Sequence, residues 1–90
     1  MTETQHPEEL FEFPCVYQFK AIGVVGEAFR DAVVAEISRR VAVPVDAIRS
    51  RPSGKGNYQA VSVLVTLHNF EQLKDIYTGL RAVAGMKMLL

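Results

Sequence analysis

Ninety residues are enough chain for one compact domain and too few for two. Hydrophobic residues make up 49% of the chain and ten basic residues balance ten acidic ones. That composition fits a globular fold and excludes a net field drawing the whole chain to nucleic acid or a membrane. Cys15 is the only cysteine, so no internal disulfide forms, which suits a reducing compartment. It reads as a half-buried strand residue. The start of the chain is polar and acidic, without the basic-then-apolar layout of a signal peptide. No apolar run approaches the roughly 20 residues needed to span a bilayer. A cytoplasmic protein is expected.

Residues 1–12 carry Glu3, Glu8, Glu9 and Glu12 together with Pro7, and read as a flexible acidic tail. Leu10, Phe11 and Phe13 are expected to fold back onto the domain, which occupies residues 13–90. Cys15 to Ile22 reads as the first strand, with Tyr17, Phe19 and Ala21 alternating against Gln18 and Lys20. Gly23 is expected to end it. From Glu27 to about Val41 the period lengthens: Phe29, Val33, Ile37 and Val41 recur at every fourth position, the stripe of an amphipathic helix closed by Pro44.

Ala47 to Ser53 is a polar second strand. Pro52 cannot donate to a ladder, so this strand belongs at a sheet edge. Gly54, Lys55 and Gly56 then supply a tight hairpin. Tyr58 to Leu67 is the clearest strand. Val61, Val63, Val65 and Leu67 form one face, and Tyr58, Ala60, Ser62, Leu64 and Thr66 the other, as expected of a central strand. Asn69 is a good N-cap with Gln72 three residues on, opening a helix with a stripe of Phe70, Leu73, Ile76, Tyr77 and Leu80. Gly85 precedes a last short strand, Met86 to Leu90.

The order is βαββαβ, an α+β arrangement. Two right-handed crossovers predict a four-stranded antiparallel sheet of spatial order 4-1-3-2 with both helices on one face. The apolar first and third strands then fall centrally and the polar second strand at an edge, an agreement across levels that supports the topology.

Pro52-Ser53-Gly54-Lys55-Gly56-Asn57-Tyr58 is the most distinctive stretch. Lys55 between glycines invites a phosphate-loop reading. A Walker A loop, however, needs a Gly where Arg49 stands and a Ser or Thr where Gly56 stands, and it leads into a helix rather than a strand. The stretch therefore reads as a hairpin, with weak anion or partner contact as the alternative. Phe13-Pro14 opening a strand, this hairpin followed by Val61-Ser62-Val63, and the Met86-Lys87-Met88-Leu89 ending together resemble the YbeD-like family of small bacterial proteins. That resemblance runs from Phe13 onward. It implies a ferredoxin-like fold similar to ACT regulatory domains, and no established activity, cofactor or catalytic residue.

An enzyme alternative rests on Gly23-Val24-Val25-Gly26-Glu27-Ala28-Phe29-Arg30, which looks like the phosphate loop of acylphosphatases. There Arg30 would hold a phosphoryl group beside backbone N–H donors. The loop is one residue short of that pattern, and Asn57 lies in the hairpin rather than on a strand where it could orient water.

The open face of the sheet offers a different site. With Tyr17, Phe19, Ile48 and the valines turned toward the helices, alternation puts Lys20, Arg49 and Arg51 outward with Tyr58, Ser62, Leu64 and Thr66. Lys87 joins them if Met86 and Met88 are buried, as core or edge packing. None of the four strands contains Asp or Glu, so a neutral chain carries a basic sheet face. Long basic stems covering apolar sheet surface are the plainer alternative. With Tyr17 and Phe19 inward, base stacking is not expected. His6 and His68 have no ligand partner at metal spacing. The expected function is a non-catalytic binding or regulatory module. It would use Lys20, Arg49, Arg51, Lys55, Tyr58 and Lys87, or a strand edge, to meet a protein partner or a small anionic ligand. A monomer or weak homodimer is expected, with no metal or cofactor, and the acidic tail is expected to lie over the basic face.

Overall fold

A computed structural model describes residues 12–53 and 55–90. The acidic tail apart from Glu12, including His6, Leu10 and Phe11, lies outside the described residues, and so does Gly54. The elements are β1 (Cys15–Val24), α1 (Glu27–Ser38), β2 (Ile48–Ser53), β3 (Tyr58–Leu67), α2 (Phe70–Arg81) and β4 (Met86–Leu89), with a 3-10 turn at Val45–Ala47 before β2. All pairings are antiparallel and the order is β2-β3-β1-β4, the predicted order read from the other edge. This is the ferredoxin-like arrangement.

Period-two alternation decides which face is covered. Phe19 and Ala21 of β1 and Val61, Val63, Val65 and Leu67 of β3 are buried. They meet Phe29, Val33 and Ile37 of α1 and Leu73, Ile76 and Leu80 of α2 in one cluster. Phe13, Cys15 and Ile48 pack against its margin. Tyr17, Phe19 and Tyr77 stack edge-to-face there, with ring centroids 4.9 to 6.3 Å apart, and the Tyr17 and Tyr77 hydroxyls hydrogen-bond at 2.7 Å. Burial, and then that hydroxyl contact, hold Tyr77 well above the usual phenol range.

Four boundaries differ from expectation. First, α1 stops at Ser38 rather than near Val41. The Ser38 hydroxyl donates to the Val34 carbonyl (2.7 Å), and the chain tightens as the Arg40 N–H donates to the Ile37 carbonyl (3.0 Å). Val41 still completes the buried stripe, because its own N–H stays on Ile37 (3.1 Å). Second, β1 runs through Gly23 to Val24. Val24 is opposite Tyr58, its N–H donates to the Gly85 carbonyl (3.1 Å), and the register against β4 shifts between Ile22 and Gly23. A bulge absorbs the glycine where a strand end was expected. Third, Ala47 belongs to the turn and β2 begins at Ile48. Fourth, β4 closes at Leu89 rather than Leu90.

Asn69 caps α2 as predicted, accepting from the Gln72 N–H (2.9 Å). The reciprocal bond reaches one residue further back than the usual capping box, from the His68 N–H to Gln72 Oε1 (2.7 Å).

Candidate functional site

Register assembles the basic residues into rows across the uncovered face. Arg49 is opposite Ser62, which is opposite Lys20. One row toward the hairpin, Arg51, Ala60, Ile22 and Met88 lie side by side. Because the β3 residues in these rows are small, the flanking side chains wall an open concavity of about 600 Å³. Gln18, Lys20, Arg49, Arg51, Ala60 and Ser62 are its open-face lining. Neighbouring strands lie about 4.8 Å apart, so Lys20 and the two arginines face each other across roughly 10 Å of sheet. Of the described cations, Arg30, Arg39, Arg40 and Lys74 sit in ion pairs. Lys20, Arg49 and Arg51 are in none of these pairs. The cleft therefore holds three cations and no acid among the described residues, an arrangement suited to a multiply charged anion.

The other expected site residues are distributed around this cleft. Lys87 reaches the open face at the β4 bulge, and its Nζ lies 5.4 Å from the centre of the Tyr58 ring, a cation–π contact. The condition expected for that placement is only half met. Met86 packs against the core, but Met88 is opposite Ile22 and 52% exposed on the open face. The shift in register lets Lys87 and Met88 both stand outward, which strict alternation forbids. Lys55 is exposed in the hairpin beyond the last paired row, in the left-handed region (φ 59°), followed by Gly56 at φ 87°. Pro52 pairs with Gln59 on the edge strand. Ser53 pairs with Tyr58, and its side chain, like Gly54, is outside the described residues.

In the acylphosphatase-like segment, the arginine and two of the backbone donors have partners within the chain. The Arg30 guanidinium pairs with Asp31 at 3.2 Å. Of the backbone donors beside it, the Val24 N–H is taken by the Gly85 carbonyl and the Val25 N–H by the Asn57 carbonyl (3.4 Å). Gln59, the one polar residue on the inner face of β3, organises this corner. It is 8% exposed, and its amide donates to the carbonyls of Val24 (3.0 Å) and Gly26 (2.6 Å). In sequence it is only an interruption in a valine face. A buried glutamine must find partners, but which carbonyls it meets is set by the fold and was not read from the sequence.

No group of His, Cys, Asp or Glu among the described residues is placed to hold a metal ion, and none of their helices is long and apolar enough to cross a membrane.

The sequence matches the family described as "Protein of unknown function (DUF493)" over residues 8–90. The chain belongs to that family. The match begins ahead of Phe13, within the segment read as a tail. DUF493 relatives include a UPF0250 protein of Shewanella sediminis, 38% identical over 92% of this chain and 93% of its own. A UPF0250 protein of Neisseria gonorrhoeae is 40% identical over the whole of both chains. These bear out the YbeD-like resemblance. Among solved structures, the ACT domain from the GTP pyrophosphokinase of Chlorobium tepidum is similar at a TM-score of 0.66 and 14% identity, covering 83% of this chain and 94% of that one. Protein HP0495 from H. pylori is similar at 0.64 and 12% identity, covering 98% of each. At such identities the likeness establishes the fold, which DUF493 therefore shares with ACT domains.

Proposed function

We propose that this DUF493 protein is a binding module of regulatory type, without catalysis of its own, whose open sheet face recognises an anionic group. The observation that carries this reading is the row Arg49–Ser62–Lys20 with Arg51 beside it, lining a cleft of about 600 Å³. A cavity of that size is in the range of ligand sites. Its cations can close on an anion from two sides, with the Ser62 hydroxyl as a further donor between them. An ACT-like fold is compatible with this role, since the helices leave one face of the sheet free.

The test is a titration of the full chain with inorganic tripolyphosphate, followed by amide and side-chain NMR shifts. Shifts should concentrate at Lys20, Arg49, Arg51 and Ser62 and disappear in the Arg49→Glu/Arg51→Glu double variant. Both arginines are exposed, so the variant should keep its thermal midpoint within a few degrees. Shifts scattered over the helices, or unchanged in the double variant, would remove this face from consideration.

A further inference from the structure

The basic cleft is only part of the uncovered face. Along β3 and β1 the next rows are Leu64 opposite Gln18 and Thr66 opposite Val16, and here the chemistry changes. Leu64 is 47% exposed and Val16 67% exposed. With Ala42, Pro44, Ala47 and Thr66 they line a second, largely apolar cleft of about 360 Å³. Ser62 and Leu64 are two residues apart on one strand, so a cationic and an apolar compartment adjoin at roughly 7 Å. Among the described residues, five of the seven exposed large hydrophobics lie on this face: Val16, Val24, Leu64, Met88 and Leu90. Apolar exposure concentrated on one face marks an interaction surface rather than the scattered exposure of an ordinary exterior.

We infer that the anionic group recognised by this face belongs to a protein segment that presents an acidic side chain beside an aliphatic one. The acid enters the Lys20–Arg49–Arg51 cleft and the aliphatic group lies on Leu64 and Val16. This inference rests on the anion-binding reading above and names the partner's chemistry.

Two observations favour a polypeptide. The face measures roughly 30 Å by 15 Å from strand length and spacing, the scale of one side of a modest protein interface, whereas a small anion leaves Met88, Leu90 and Val24 in water. A second copy brings the same unopposed cations against its own, since this face holds no acid among the described residues. A bilayer is too flat to fill a recessed cationic cleft.

The experiment measures fluorescence anisotropy of the full chain with two labelled synthetic peptides of equal charge, one alternating glutamate with leucine and the other glutamate with serine. Vesicles of anionic phospholipid form a third arm. The glutamate–leucine peptide should bind about tenfold more tightly than its serine counterpart, the effect of seating one or two aliphatic side chains. Leu64→Gln should reduce it to the serine level while leaving the tripolyphosphate shifts in place. Val16→Thr, at the more exposed position, should weaken it in the same direction. Arg49→Glu/Arg51→Glu should abolish binding of both peptides. Equal affinity for the two peptides, or tighter binding to vesicles than to either, overturns this inference while the anion-binding reading stands. Peptide binding and tripolyphosphate shifts that both survive the double arginine change overturn the two together.

Discussion

Replacing Gln59 with leucine tests how the hairpin end of the sheet is held. The side chain is close to leucine in volume and sits at 8% exposure, so the change removes two hydrogen bonds without opening a cavity. Each neutral bond contributes about 0.5–1.5 kcal/mol net, and the abandoned carbonyls of Val24 and Gly26 carry a further desolvation cost unless water reaches them. Leucine returns part of this as apolar burial. A net loss of about 2 kcal/mol follows, or a fall of about 10 °C in the thermal midpoint for a chain of this size. Urea and thermal unfolding measure it directly. Hydrogen exchange should also locate it: the Val25 amide, bound to the Asn57 carbonyl at 3.4 Å, loses protection, while amides at the centre of β3 change only with global stability. Gln59→Glu sets a carboxylate against two carbonyl acceptors, so it should be worse near neutral pH and partly recover in acid as the group gains a proton. A loss below about 0.5 kcal/mol for Gln59→Leu, with unchanged exchange at Val25, would refute the clamp.

Two further outcomes concern the core and its rim. Tyr77 has its phenol raised above the ordinary value by burial and by the Tyr17 hydroxyl, so the folded state retains a proton that the unfolded chain gives up near pH 10. The resulting stability is present below about pH 10 and lost as pH rises toward the folded-state value. Unfolding free energies measured from about pH 8 to about pH 11 should fall more steeply for the wild type than for Tyr77→Phe, and parallel curves would contradict the packing described. Gly23→Ala places a Cβ against the Phe29 ring and 2.7 Å from the Gly85 carbonyl oxygen. Overpacking of this kind costs about 1–3 kcal/mol. A neutral result in denaturant unfolding would mean that the ring has room to move.

Much of this molecule is written in local pattern. Alternation in Tyr58–Leu67 and the four-residue stripe of α1 each name a buried face, because strand and helix geometry impose those periods on any chain that must cover one side. Pro52 announces an edge and Asn69 a helix start, because each depends on its own backbone hydrogen bonds. The outward basic residues Lys20, Arg49 and Arg51 are legible for the same reason, by subtraction from the buried set. Gln59, the length of β1 and the outward turn of Met88 are not. Each depends on a partner distant in sequence: the Val24 and Gly26 carbonyls, the Gly85 carbonyl and the shifted register of β4.

The sequence by itself therefore determined the order of elements, the two faces of each and the sign of the charge on the uncovered one, all consequences of side-chain periodicity along a single strand or helix. Only the tertiary structure decided that Arg49, Ser62 and Lys20 share a row, that small residues between them leave a cleft, and that an apolar cleft adjoins it. Cross-strand register is set by pairings between segments tens of residues apart, and periodicity within one segment carries no information about its alignment with the next.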